Sequence, residues 1–268
     1  MTEFIKSIIL GIIEGITEWL PISSTGHMIL ANSFMDSTTG FTSSELFLYV
    51  IQFGAILAVV TLFFKKLNPL SPSKTSEEKK ETWEMWIKVI IACIPAAVIG
   101  LLFDSYMEKI ETPFVVAAML ILYGILFIIV EKMNKKIKVE NMSEMTYKTA
   151  LLIGMFQVLS IIPGTSRSGA TILGAILLGT SRTVAAEFSF FLAIPVMVGV
   201  SALKILGNLE LLVFENIAIL LVGMIVAYIV SMISIKFLMN FVKNHDFKGF
   251  GWYRIILGIL VILKFIFI

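Results

Sequence analysis

The chain has 268 residues, of which 58% are hydrophobic and only 15% charged, whereas a soluble domain averages about 45–50% apolar and about 25% charged. So much apolar surface needs lipid outside it, which excludes a soluble domain, a disordered chain and a nucleic-acid binder. The single cysteine, Cys93, lies in an apolar run and leaves neither a disulfide framework nor a cysteine metal cluster, and a net charge of +2 identifies no partner.

The first 20 residues are apolar but contain Glu14 and Glu18 and stop at Pro21. They lack the basic start and small-residue cleavage site of a signal peptide. Six runs long enough to cross a bilayer follow, at approximately 46–64, 86–103, 114–130, 185–206, 216–239 and 252–268. Residues 149–178 form two shorter apolar pieces around Pro-Gly-Thr-Ser-Arg-Ser-Gly. Neither piece spans about 30 Å of hydrocarbon, so this segment and residues 1–45 both read as re-entrant. The fold expected is an all-α polytopic membrane protein forming a single domain over 1–268.

Lysine and arginine orient it. Segments 65–85, 131–148 and 236–254 are basic and are expected in the cytoplasm, Arg254 and the polar Pro-Ser-Lys-Thr-Ser-Glu-Glu-Lys-Lys-Glu loop included. Segment 104–113, with Asp104, Glu108 and Glu111, and segment 207–215, with Glu210 and Glu215, are expected outside. Each half then reads as one re-entrant hairpin plus three spans, about 1–135 and about 149–268, the second copy inverted. An echo supports the duplication: Pro21 to Glu45 and Pro163 to Glu187 are both 24 residues, and Gly11-Ile-Ile-Glu14 resembles Gly154-Met-Phe-Gln157. Inverted repeats put their site near the midplane, where broken segments meet.

Glu14 and Glu18, four apart, share a helix face. Two such carboxylates need a compensating cation, arginine or shared proton. Ser23, Ser24 and Thr25 precede a helix expected to restart at Met28, whose free N–H groups favour an anion, and His27 is one of two histidines. The second loop places Arg167 among Thr165, Ser166 and Ser168. An arginine at membrane depth marks a functional site, and its planar fork matches phosphate oxygens. Arg182 is expected to snorkel at the membrane edge, His245 to be solvated, and Glu45 and Glu187 to anchor their spans. Together the loops suit a phosphorylated ligand with an apolar body. No GxxxxGK[ST] is present, so the phosphate belongs to the lipid-side substrate.

The segments Glu14-Gly-Ile-Thr-Glu18-Trp-Leu-Pro21-Ile-Ser-Ser-Thr-Gly-His27 and Pro163-Gly-Thr-Ser-Arg-Ser-Gly-Ala-Thr171 resemble the two signature motifs of the undecaprenyl-diphosphate phosphatase family, the bacitracin-resistance proteins. The resemblance covers essentially the whole chain. It implies hydrolysis of undecaprenyl diphosphate to undecaprenyl phosphate and orthophosphate, which recycles the lipid carrier for peptidoglycan and confers bacitracin resistance. It also implies a bacterial plasma membrane, a site reached from the exterior and a divalent cation, Mg or Ca. On this chain Glu14 and Glu18 would hold the cation or manage protons. Ser24 or His27 would be the nucleophile, with His27 alternatively a general base or acid. Ser23, Thr25, Thr165, Ser166, Arg167 and Ser168 would bind phosphate. A polyprenyl diphosphate is the partner expected; homo-oligomerisation is left open.

The rival reading is a transporter or flippase of a polyprenyl phosphate lipid, which the repeat architecture permits. A pure binder has less use for His27 and two clustered carboxylates. A type-2 phosphatidic acid phosphatase would need a Lys-x6-Arg-Pro segment and a second catalytic histidine, and the chain has neither.

Overall fold

A computed structural model describes residues 2–35, 40–133 and 135–267, with the side chains at 104, 105, 107, 108 and 267 excepted. The expected exterior charges Asp104 and Glu108 therefore lie outside the described side chains. Twelve α-helices carry the described fold: α1 Glu3–Thr17, α2 Ser24–Phe34, α3 Glu45–Val50, α4 Gln52–Leu62, α5 Phe64–Leu67, α6 Ser76–Ile110, α7 Pro113–Lys132, α8 Tyr147–Val158, α9 Arg167–Leu177, α10 Arg182–Gly207, α11 Phe214–Asn244 and α12 Lys248–Phe267. Among the described residues the only β pairing is one bridge, Val139 with Thr180. Six segments are long and apolar enough to cross a membrane, and they coincide with the six expected. The chain is a multi-pass α-helical membrane protein.

Local chemistry moves two boundaries. The loop expected through residue 85 becomes helix at Ser76, because Thr75 and Glu78 form a reciprocal cap: the Thr75 N–H donates to Glu78 Oε2 at 2.7 Å, and the Glu78 N–H donates to Thr75 Oγ1 at 3.2 Å. The helix expected to restart at Met28 starts instead at Ser24. Ser23 takes a φ of 74° and its hydroxyl accepts the Gly26 N–H, which caps the helix four residues early.

The surface has the sign that lipid demands. Along α11, Leu221, Ile225, Ile229, Ile233 and Phe237 recur every fourth residue and are all exposed. Gly223, Ala227 and Ser231, on another face, are buried, and α11 packs on α1 and α4. Small residues let the backbones approach closely where lipid supplies no hydrophobic drive between helices. The same device joins α7 to α12: a Cβ on Gly124 would lie 2.6 Å from the Gly251 carbonyl oxygen, and one on Gly251 would lie 2.7 Å from that of Gly124.

The halves interlock. Helix α1 packs on α11 of the second half, while α8 packs on α6 of the first. Helix α4 likewise meets α11, as α10 meets α6, and the two short helices α2 and α9 pack against α7. The connections entering α2 and α9 are thereby carried to the centre, under a core containing Trp19, Phe188, Phe190 and Phe191.

Candidate active site

Helices α2 and α9 start alike. Both have 11 residues. The residues before them, Ser23 and Ser166, are the two non-glycine residues with positive φ among the described residues, at 74° and 73°. Each serine hydroxyl accepts an N–H three residues on, Gly26 for Ser23 (3.3 Å) and Gly169 for Ser166 (3.1 Å). A serine held in this sparsely populated region is strained, and the hydroxyl cap compensates in part. The equivalence is one residue out from an alignment on Pro21 and Pro163. Ser24 therefore matches Arg167, and Glu14 matches Gln157.

Arg167 joins the two loops. Its Nη2 donates to Glu18 Oε1 at 2.7 Å, and its Nη1 donates to the Ser189 carbonyl at 2.7 Å and to Ser189 Oγ at 3.2 Å. The Arg167 and Glu18 side chains are only 11% and 9% exposed, so each compensates a charge that would be costly alone. The second Glu18 oxygen accepts from Ser24 Oγ at 3.1 Å. Ser168 Oγ donates to the backbone carbonyl of Glu18 at 3.0 Å. Glu18, Ser24, Arg167 and Ser168 thus form one hydrogen-bonded group drawn from both halves. Glu14 is buried beside it, within the influence of Glu18 and Arg167, and its Oε1 has no partner.

The remaining residues expected at the site stand differently. Ser23 and Ser166 are occupied as caps. Thr165 is fully buried with an unpartnered hydroxyl, and Thr25 is half-buried in the first turn of α2. His27 turns to another partner: its Nδ1 lies 2.7 Å from the Ser23 carbonyl oxygen and its Nε2 lies 2.7 Å from the Tyr253 hydroxyl, with the two rings stacked. Among the described residues, no three His, Cys, Asp or Glu side chains are grouped to hold a metal ion.

One basic residue departs from its expected place. Arg254, expected in a cytoplasmic loop, is fully buried. Its guanidinium donates to the carbonyls of Pro21 (3.2 Å), Gly164 (3.1 Å) and Thr165 (2.9 Å), binding the backbones of both loops together. It lies inside α12, so it obeys the rule for intramembrane arginines that singled out Arg167; that rule applied to residues 252–268 could have found it. Arg182 stands part-exposed at the start of α10. It grips Glu131 with Nε and Nη2, at 2.9 and 2.6 Å, and Glu131 also accepts the Phe247 N–H at 3.0 Å. Both span-anchoring carboxylates are ion-paired across the halves at 2.7 Å, Glu45 with Lys204 and Glu187 with Lys66. His245 is exposed as expected. Ser189 and Tyr253 escaped notice altogether, although a serine among the phenylalanines of Glu187-Phe-Ser-Phe-Phe is a visible polar signal.

With this geometry in view, residues 7–260 match the model of the family described as bacitracin resistance protein BacA. The chain belongs to that family. It is 60% identical over 263 residues to an undecaprenyl-diphosphatase of Enterococcus faecalis, covering 96% of this chain and 95% of the relative. A protein of the same name from Desulfitobacterium hafniense is 57% identical, with 99% and 97% covered, and one from Latilactobacillus sakei is 58% identical, with 96% of each covered. For this bacitracin-resistance family member, relatives and motifs agree over nearly the full chain.

Proposed function

We propose that this family member is an integral membrane hydrolase that converts undecaprenyl diphosphate to undecaprenyl phosphate and orthophosphate, recycling the lipid carrier of the bacterial envelope and protecting against bacitracin. The observation that carries the reading is the Arg167–Glu18–Ser24 group, which joins a phosphate-binding fork, a carboxylate and a hydroxyl from two loops at the core of a lipid-embedded protein. The halves, about 1–135 and about 149–268, act as inverted copies, and the site works from the exterior face of the plasma membrane.

The terminal phosphate competes with Glu18 for Arg167. Once the guanidinium fork holds phosphate oxygens, Glu18 is an unpaired carboxylate still bonded to the Ser24 hydroxyl. Ser24 Oγ forms a bond to the terminal phosphorus and its proton passes to Glu18, while the bond from phosphorus to the bridging oxygen breaks with its electron pair leaving on the lipid monophosphate. Arg167 strengthens its hold as charge develops. Water then attacks the serine phosphate. His27, three residues along the same helix face from Ser24, is the sink for the water's proton; Glu18 returns a proton to the departing Ser24 oxygen, and orthophosphate leaves.

The unpartnered Glu14 oxygen fits a hard cation. Mg²⁺ characteristically takes one or two carboxylates and completes its shell with phosphate oxygens and water, and here Glu14 would be the ligand, Glu18 being committed to Arg167 and Ser24. A bound divalent ion would neutralise diphosphate charge beside the fork.

The test is orthophosphate release from farnesyl diphosphate by detergent-purified protein, with and without EDTA, beside Arg167→Ala and His27→Ala. Release in the wild type, suppressed by EDTA and cut by about 100-fold or more in both variants, is expected. No release from any polyprenyl diphosphate, with binding intact, would overturn the enzyme.

A further inference from the structure

His27 has no nitrogen to spare. A carbonyl oxygen can only accept a hydrogen bond, so the 2.7 Å contact with Ser23 requires the proton on Nδ1. In the neutral ring Nε2 then carries the lone pair, and that lone pair accepts from the Tyr253 hydroxyl at 2.7 Å. The ring planes are nearly parallel, 5° apart with centroids 5.6 Å distant, which holds this contact in register. A proton reaching His27 in this arrangement has to come through the phenol. Tyr253 is 44% exposed, so its side chain is not sealed within the core. Its neighbour Arg254 is bonded to the carbonyls of both loops, which fixes this turn of α12 against the site.

We propose that Tyr253 is a further catalytic residue, the proton-transfer group through which His27 acts. As the hydrolytic water attacks the serine phosphate, its proton passes to the Tyr253 oxygen and the phenolic proton passes to His27 Nε2. The imidazolium formed keeps Nδ1–H on the Ser23 carbonyl, and the reverse transfer through Tyr253 returns the extra proton to solvent. The chain carbonyl–imidazole–phenol orients the base much as a carboxylate orients histidine in a hydrolase triad. The role rests on the phosphatase reading and deepens it.

Tyr253→Phe tests it, because phenylalanine keeps the ring and its stacking and removes only the hydroxyl. With farnesyl diphosphate the expected loss in kcat is about 100-fold, the scale of general acid–base catalysis, with KM within about twofold. Since both residues act in one relay, Tyr253→Phe added to His27→Ala should cost nothing further. Nitrogen-15 NMR supplies a readout independent of turnover. With His245→Gln removing the other histidine, the His27 signals should show Nδ1 protonated, and the Nε2 resonance should move when the phenol is lost. A variant that retains half or more of kcat while His27→Ala is inactive overturns the role of Tyr253 and leaves the phosphatase standing. An Nε2 resonance unchanged by Tyr253→Phe overturns it as well. A wild type that releases no phosphate removes both.

Discussion

The loops before α2 and α9 share a backbone and divide the chemistry. Both follow an apolar helix, both put a serine at positive φ, and both open an 11-residue helix on that serine's hydroxyl. At the first helical position one carries Ser24 and the other Arg167; upstream, Glu14 stands against the amide of Gln157, and one turn in, His27 against Ala170. Two loops of like backbone geometry therefore supply complementary parts. A carboxylate–hydroxyl loop needs a cation, and the arginine that provides it comes from the twin loop. Two identical acidic loops would leave four buried carboxylates uncompensated, and two basic ones would bind phosphate with nothing to attack it.

The sharpest way to break this division is at its matched first positions. Ser24→Ala should abolish phosphate release, by about 10⁴-fold or more as for other lost nucleophiles, while leaving binding of a non-hydrolysable diphosphate analogue in place; measurable turnover would transfer the nucleophile's role elsewhere. Arg167→Ala should cost about 10²–10³-fold in kcat. It also strands Glu18 as a buried, unpaired charge, worth about 3–5 kcal/mol, so its melting temperature in detergent should fall where that of Ser24→Ala does not.

Packing offers the next contrast. Gly11 and Gly154 occupy matching places on α1 and α8. A Cβ at Gly154 would come 2.2 Å from the Ala92 carbonyl oxygen, and one at Gly11 would come 2.7 Å from that of Gly223. Both neighbours are backbone and cannot turn aside. Gly154→Ala should destabilise by about 1–3 kcal/mol or more, the scale of overpacking, and more than Gly11→Ala; equal melting temperatures would show that the α8–α6 contact relaxes freely. The smallest effect is expected from exchanging the upstream acid and amide. Glu14→Gln should lower activity and remove its response to EDTA with little loss of stability, because an uncompensated buried carboxylate becomes neutral. Gln157→Glu should do the reverse, costing stability without creating a second metal response.

Much of this could be read from the chain. Run lengths near 20 residues and the polar interruptions at Ser23–His27 and Thr165–Ser168 are local properties, and they located the spans and both broken segments. Register within the breaks was less legible. The prolines and glutamates repeat at 24 residues in both halves, yet the strained serines pair one residue away from that alignment, since a cap forms where a hydroxyl meets free N–H groups and not where a proline falls.

What the sequence by itself determined is the membrane class, the six crossings and the residue types present at each break, because hydrophobic length and intramembrane charge act along the chain. Tertiary structure alone decided who meets whom. Arg167 reaches Glu18 across 149 positions, Arg182 takes Glu131, and Arg254 crosses 233 positions to Pro21. Three arginines that look alike in composition thus become a bridge to Glu18, a clamp on Glu131 and a tie between loops. The buried guanidinium groups of Arg167 and Arg254 must find oxygen in a medium that offers none, and which oxygen lies within reach is settled only when the helices pack.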